Sequence, residues 1–174
     1  QFEVLEVMGT ILGGGMSSRL FVEVREKRGL AYRISTGATA YHETGDFTTS
    51  AGVTNGSLHE ALEIILKEHH RLIHELVPPK ELARTKDYIK GKFAIGLETS
   101  DAQGSFYGEQ ELLENRMLTP EERLAKFDAV TAQQIQDTAQ ELFRPERLNL
   151  AVIGPLEDRE EELRKLITSW QTTK

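Results

Sequence analysis

Apolar residues recur at helical spacing through most of this chain and alternate strictly in only a few short stretches. In the opening segment Val4, Leu5, Met8, Ile11 and Leu12 share one helical face, and Gly13-Gly14-Gly15 then stops the helix. Ser17 or Ser18 is placed to cap a second helix with Leu20, Phe21 and Val24 on its apolar side, and Gly29 is its natural C-terminal stop. Two alternating runs follow. "AYRISTGATAY" sets Tyr32, Ile34, Thr36, Ala38 and Ala40 on one face, and "DFTTSAGVT" does the same with Phe47, Thr49, Ala51 and Val53. The "HETGD" between them, with Gly45, suits a hairpin loop.

Helical period then returns. Leu58, Ala61, Leu62, Ile65, Leu66, Leu72, Ile73 and Leu76 form one stripe, broken at "VPP", with Pro79 suited to the first turn of the next helix. That helix continues through Leu82, Ile89 and Phe93. Another is expected over about 102–114, and Thr119 and Thr131 cap two more. "RLNLAVIG" predicts a third strand, closed by Gly154-Pro155, and "LEDREEELRKLITSW" a charged final helix. The elements do not alternate as a doubly wound sheet would. Their order predicts an α+β fold, a two-layer sandwich in which helices pack on one face of a mainly antiparallel sheet. Residues 1–174 read as a single domain.

Composition narrows the function classes. With 174 residues, 39% hydrophobic and 28% charged, the chain is an ordinary globular domain. A net charge of −7 argues against general nucleic-acid binding, which needs clustered Lys and Arg. No run approaches the roughly 18 apolar residues of a membrane helix, so no membrane span is expected. The absence of cysteine excludes disulfides and thiolate metal sites. The first residue is Gln1 rather than Met, so the chain reads as a trimmed fragment whose targeting segment would lie upstream. The expected compartment is cytoplasmic.

Candidate chemistry sits in two places. "EHHRLIHE" puts His70 and His74 four apart on a helix, a spacing that can chelate zinc. A peptidase also needs a third ligand and a carboxylate base, and the inner position that would carry the base is Ile73. His69 borders the apolar stripe, and this cluster reads as structural. His42 and His59 have no partners that sequence can name. Gly13–Gly15 lacks the lysine of a phosphate loop and reads as a permissive helix–helix turn.

The second place is "VREKRGLAY". Arg25, Lys27 and Arg28 lie in a last helical turn, where cations offset the macrodipole, and Glu23–Lys27 is an i,i+4 pair. Tyr32 suits a strand start. Beside this plain structural account stands a chemical one. A helix end, a glycine turn and a strand start can bring Arg25 and Tyr32 together as two donors to one carbonyl oxygen.

"LGGGMSSRLFVEVREKRGLAY" closely resembles the second domain of the pitrilysin-type zinc metallopeptidases, whose zinc motif is H-x-x-E-H. In style it is nearest to small bacterial processing proteases and the mitochondrial processing peptidase. "SAGVTNGSLHEALEIILKE", "PPKELARTKDYIKGKFAIGLETS" and "FDAVTAQQIQDTAQELFRPERLNLAVIGP" extend the resemblance over almost the whole chain.

The resemblance implies a C-terminal domain, here without the family's first strand, that pairs with a zinc-bearing N-terminal domain or partner subunit. It implies a homo- or heterodimer in the full enzyme and a peptide substrate. It assigns Arg25 and Tyr32 to substrate binding across the peptide chamber, and puts no catalytic or metal residue in this chain. Zinc is expected only in the other domain, so the fragment alone should be inactive. The competing expectation is a structural or binding subunit of the same fold, like the respiratory core proteins.

Overall fold

The computed structural model describes residues 2–41, 43–156 and 159–172. Helix α1 (Phe2–Gly13) buries Val4, Val7, Met8, Ile11 and Leu12 against strand β1 (Ala31–Ala40). β1 pairs antiparallel with β2 (Gly45–Val53) in a two-stranded sheet, and Ala40 faces Gly45 across the hairpin. His42, in the loop of that hairpin, lies outside the described residues. Helices α2 (Leu58–His74), α3 (Pro79–Gly96), α4 (Ser100–Glu109), α5 (Pro120–Asp128), α6 (Ala132–Leu142) and α7 (Glu160–Thr172) follow. α2 packs on α6 and more lightly on β2 and α7, while α3 and α5 lean on α1. One sheet face, with Ile34, Thr36, Phe47, Thr49 and Val53, turns to the helices, and the other is largely open. This is the expected α+β sandwich. Among the described residues no helix is long and apolar enough to cross a membrane.

The caps are as the sequence reads. Thr119 and Thr131 each accept from the backbone N–H three residues on, and Glu122 and Gln134 return the bond to the cap N–H. Both are full capping boxes. Thr131→Ala should lower stability by about 1 kcal/mol, seen as a lower urea midpoint at an unchanged slope.

Three local expectations fail. The "RLNLAVIG" strand is absent: Pro145–Arg147 is a 3₁₀ turn, and 148–153 pairs with no strand among the described residues. Leu148 and Val152 still pack on the cluster around Leu62, Leu66 and Leu163, but Ile153 is wholly exposed. Alternation expresses a preference, whereas a ladder needs a neighbouring backbone, and none lies alongside. Secondly, neither serine caps the second helix. The Ser18 hydroxyl donates to the Gly15 carbonyl at 2.6 Å, closing the glycine turn. Thirdly, that helix is wound as a π turn over Phe21–Glu26, with the Lys27 N–H donating to the Val22 carbonyl (2.9 Å).

Candidate functional site

The π turn and the start of β1 meet at Gly29. Its φ of 62° is the left-handed conformation that glycine enters without penalty. The Gly29 N–H donates to Arg25 (3.1 Å) and the Leu30 N–H to Val24 (2.9 Å), so the helix end is closed by its own carbonyls. The chain then enters β1 at Ala31, which is buried.

Here the strand breaks its own alternation. Ala31 pairs with Val53 and Arg33 with Gly52, so β1 carries one residue more than β2 over that step, and Tyr32 is the extra one. Strict alternation would turn Tyr32 inward with Ile34. The bulge leaves it 87% exposed while Ala31 and Ile34 keep the core face. Nothing in the residue pattern announces this.

Of the basic residues in this stretch, two are already engaged. Lys27 Nζ reaches Glu23 at 2.6 Å, and Arg28 donates to both the carboxylate (2.7 Å) and the carbonyl (2.8 Å) of Glu23. Those bonds hold the Glu23 carboxyl below the usual carboxylate range. Arg25 makes no ion pair or side-chain hydrogen bond among the described residues. Its guanidinium carbon lies 4.8 Å from the centre of the Phe21 ring and 5.6 Å from that of Tyr32, both within cation–π range. The structure therefore brings Arg25 and Tyr32 together, with Phe21 one turn back as a platform. Five guanidinium N–H donors and a phenol are left for a ligand.

A buried ion network that the sequence does not suggest anchors the base of this segment. Arg19 forks onto Glu81 of α3 (2.9 and 2.8 Å) and approaches Glu68 of α2 at 3.7 Å, while Arg71 bonds Glu68 at 3.1 Å. The side chains of Arg19 and Glu68 are 8% and 4% exposed. At Gly14 and Ser17 the backbone carbonyls accept from Tyr88 and Arg84, so the glycine turn is fastened to α3.

The histidine cluster divides. His69 is buried, stacks on Phe143 at 4.5 Å and meets the Thr49 hydroxyl at 3.4 Å. Burial lowers its pKa from 6.5 to about 4. Between those values the unfolded chain binds a proton that the folded chain does not, so stability is full above pH 6.5 and falls as pH drops toward 4. The slope should approach about 1.4 kcal/mol per pH unit, and His69→Phe should remove most of it in urea melts run from pH 7 to 5. His70 and His74 stand with ring centres 4.1 Å apart, and partial burial with His74 alongside holds His70 below the usual histidine range. Among the described residues no three His, Cys, Asp or Glu side chains gather to hold a metal ion.

Residues 1–89, which include Arg25 and Tyr32, match the family model described as the peptidase M16 inactive domain. An uncharacterized zinc protease of Streptomyces coelicolor is 34% identical over 154 residues, which is 88% of this chain and 33% of that protein. Two solved structures share the fold. The peptidase M16 inactive domain from Pseudomonas fluorescens superposes with a TM-score of 0.69 at 23% identity, covering 80% of this chain and 34% of that one. A chain of Complex III2 from Candida albicans does so at 0.71 and 21%, covering 80% of this chain and 36% of its own. The chain thus spans about a third of the length of the curated relatives it matches. It belongs to the peptidase M16 family of zinc-protease-like proteins, as their inactive, C-terminal domain.

Proposed function

We propose that this chain is the second domain of a zinc metalloendopeptidase, forming one wall of a peptide chamber, and that Arg25 and Tyr32 hold the substrate backbone. The observation that supports this best is the state of Arg25. Among the described residues it alone in its basic run lacks a carboxylate partner, and it stands beside a tyrosine that a β-bulge has turned outward. Arg25 would give two parallel N–H donors to a peptide carbonyl, and the Tyr32 hydroxyl a third. Both strengthen as negative charge builds on that oxygen. The described residues here do not fit a peptidase zinc centre. Zinc and the water-activating base are therefore assigned to the other domain or a partner subunit, and no step of that chemistry falls to this chain.

The test is peptide hydrolysis by the full-length protein, comparing wild type with Tyr32→Phe. A fall in turnover without loss of folding supports the assignment; unchanged turnover and unchanged peptide affinity overturn it. The second reading, a non-catalytic structural subunit, draws on the fold shared with a chain of Complex III2. It expects wild type itself to be inert in the presence of zinc and any partner subunit.

A further inference from the structure

We propose that His70 and His74 form a two-imidazole site for a divalent transition-metal ion on the outer face of α2. The two residues are one turn apart, so both rings project from the same strip of helix surface. Their ring centres are 4.1 Å apart with a 41° tilt. Neither ring forms a hydrogen bond or ion pair among the described residues, and His70 Nε2 is shielded from solvent without a partner. A shielded ring nitrogen with nothing to bond is costly unless something supplies the missing contact.

His59 Nδ1 is also shielded without a hydrogen bond, but His59 and His69 have contacts that the pair lacks. His69 is committed to the core against Phe143 and Thr49. His59 lies between Glu162 at 2.7 Å and Glu63 at 3.3 Å. Among the described histidines only His70 and His74 have neither a hydrogen bond nor a carboxylate partner.

The chemistry of the donors sets the ligand class. Two neutral imidazoles suit Cu²⁺, Ni²⁺ and Zn²⁺ and do not suit Mg²⁺ or Ca²⁺, which want oxygen ligands. His70 borders a cavity of about 540 Å³ whose wall includes Glu63, Lys67, Arg71, Glu75 and Trp170, and His74 is exposed, so water can fill the remaining coordination positions. With only two protein ligands the site binds by chelation across one helical turn, and it ranks metals in the order Cu²⁺ above Ni²⁺ and Zn²⁺. A bound ion would also tie the last turns of α2 and so raise the chain's melting temperature.

The experiment uses the chain dialysed against a chelator and returned to a non-coordinating buffer at pH 7.5. Cu²⁺, Ni²⁺ and Zn²⁺ are titrated by calorimetry, and the Cu²⁺ form is read by electron paramagnetic resonance. The expected result is one ion per chain with nitrogen coupling in the Cu²⁺ spectrum. His70→Ala and His74→Ala should each weaken binding roughly tenfold or more, since each leaves a single imidazole. His59→Ala should bind as wild type does. His74 is exposed, so its variant keeps the fold, which far-ultraviolet circular dichroism checks. Binding that survives the double variant, that disappears with His59→Ala, or that is absent from wild type at millimolar metal overturns the proposal.

Discussion

Arg25→Ala in the full-length protein is expected to cut turnover by about 10²–10³-fold while leaving the fold intact, the loss typical of a single donor to a developing oxyanion. The fold should survive because Arg25 holds nothing together. It makes no ion pair among the described residues, and its guanidinium rests on the faces of Phe21 and Tyr32. Lys27 and Arg28, bound to Glu23, are the basic side chains that brace the helix end. Arg28→Ala should therefore lose a little stability and almost no activity. Arg25→Lys is the more telling variant. A lysine keeps the charge but has neither the planar fork nor the stacking surface, so it should recover only a small part of the loss. Full recovery by lysine would reduce the role of Arg25 to general electrostatic attraction. Tyr32→Phe removes one hydroxyl from a side chain that is 87% exposed, and any fall in kcat at unchanged melting temperature is then chemical. Should Arg25→Ala and Tyr32→Phe both raise KM and spare kcat, the pair binds peptide uniformly and does not follow the transition state.

The residue pattern carries a good deal of this site, and it fails at identifiable points. Gly29 announces the left-handed turn because few other residues tolerate it, and Thr119 and Thr131 announce their helices because their side chains satisfy specific backbone donors. These are local effects, written in one to four residues. The resemblance places Arg25 and Tyr32 together at a spacing of seven, which local chemistry alone leaves undecided. What remained illegible depends on residues far apart in sequence. The bulge that turns Tyr32 outward arises from a mismatch between β1 and β2, twenty-one residues away at Val53. The Arg19–Glu68–Glu81 network joins three elements, and each of its residues alone looks like an ordinary surface charge. The expected strand at 148–153 failed for the same reason in reverse. Its own alternation is sound, but strand formation belongs to a pair.

Gly13→Ala is the second variant with a large expected effect, and it decides what the glycine triplet does. A Cβ at Gly13 would lie 2.4 Å from the backbone nitrogen of Thr36, 2.6 Å from its Oγ1 and 2.9 Å from the carbonyl carbon of Ser35. The nearest of these atoms and the Ser35 carbon belong to the β1 backbone, which cannot swing aside as a side-chain tip can. Relief requires α1 to lift from β1, where Met8, Ile11 and Leu12 are at most 2% exposed. The cost should be about 3 kcal/mol, the upper end for overpacking a core, read as a lowered urea midpoint. Two controls separate crowding from glycine chemistry in general. At Gly15 the three nearest atoms to a Cβ all belong to the Tyr88 side chain, from 3.2 Å, so Gly15→Ala should cost less. At Gly37, on β1 itself, a Cβ meets nothing within 4 Å, so Gly37→Ala should be neutral or slightly stabilising. This ordering makes Gly13 a packing residue that lets a helix end touch a strand four residues from Tyr32. If Gly13→Ala instead folds with wild-type stability and full-length turnover falls, the triplet acts on the substrate, and the contact between α1 and β1 is not what holds Tyr32 in place.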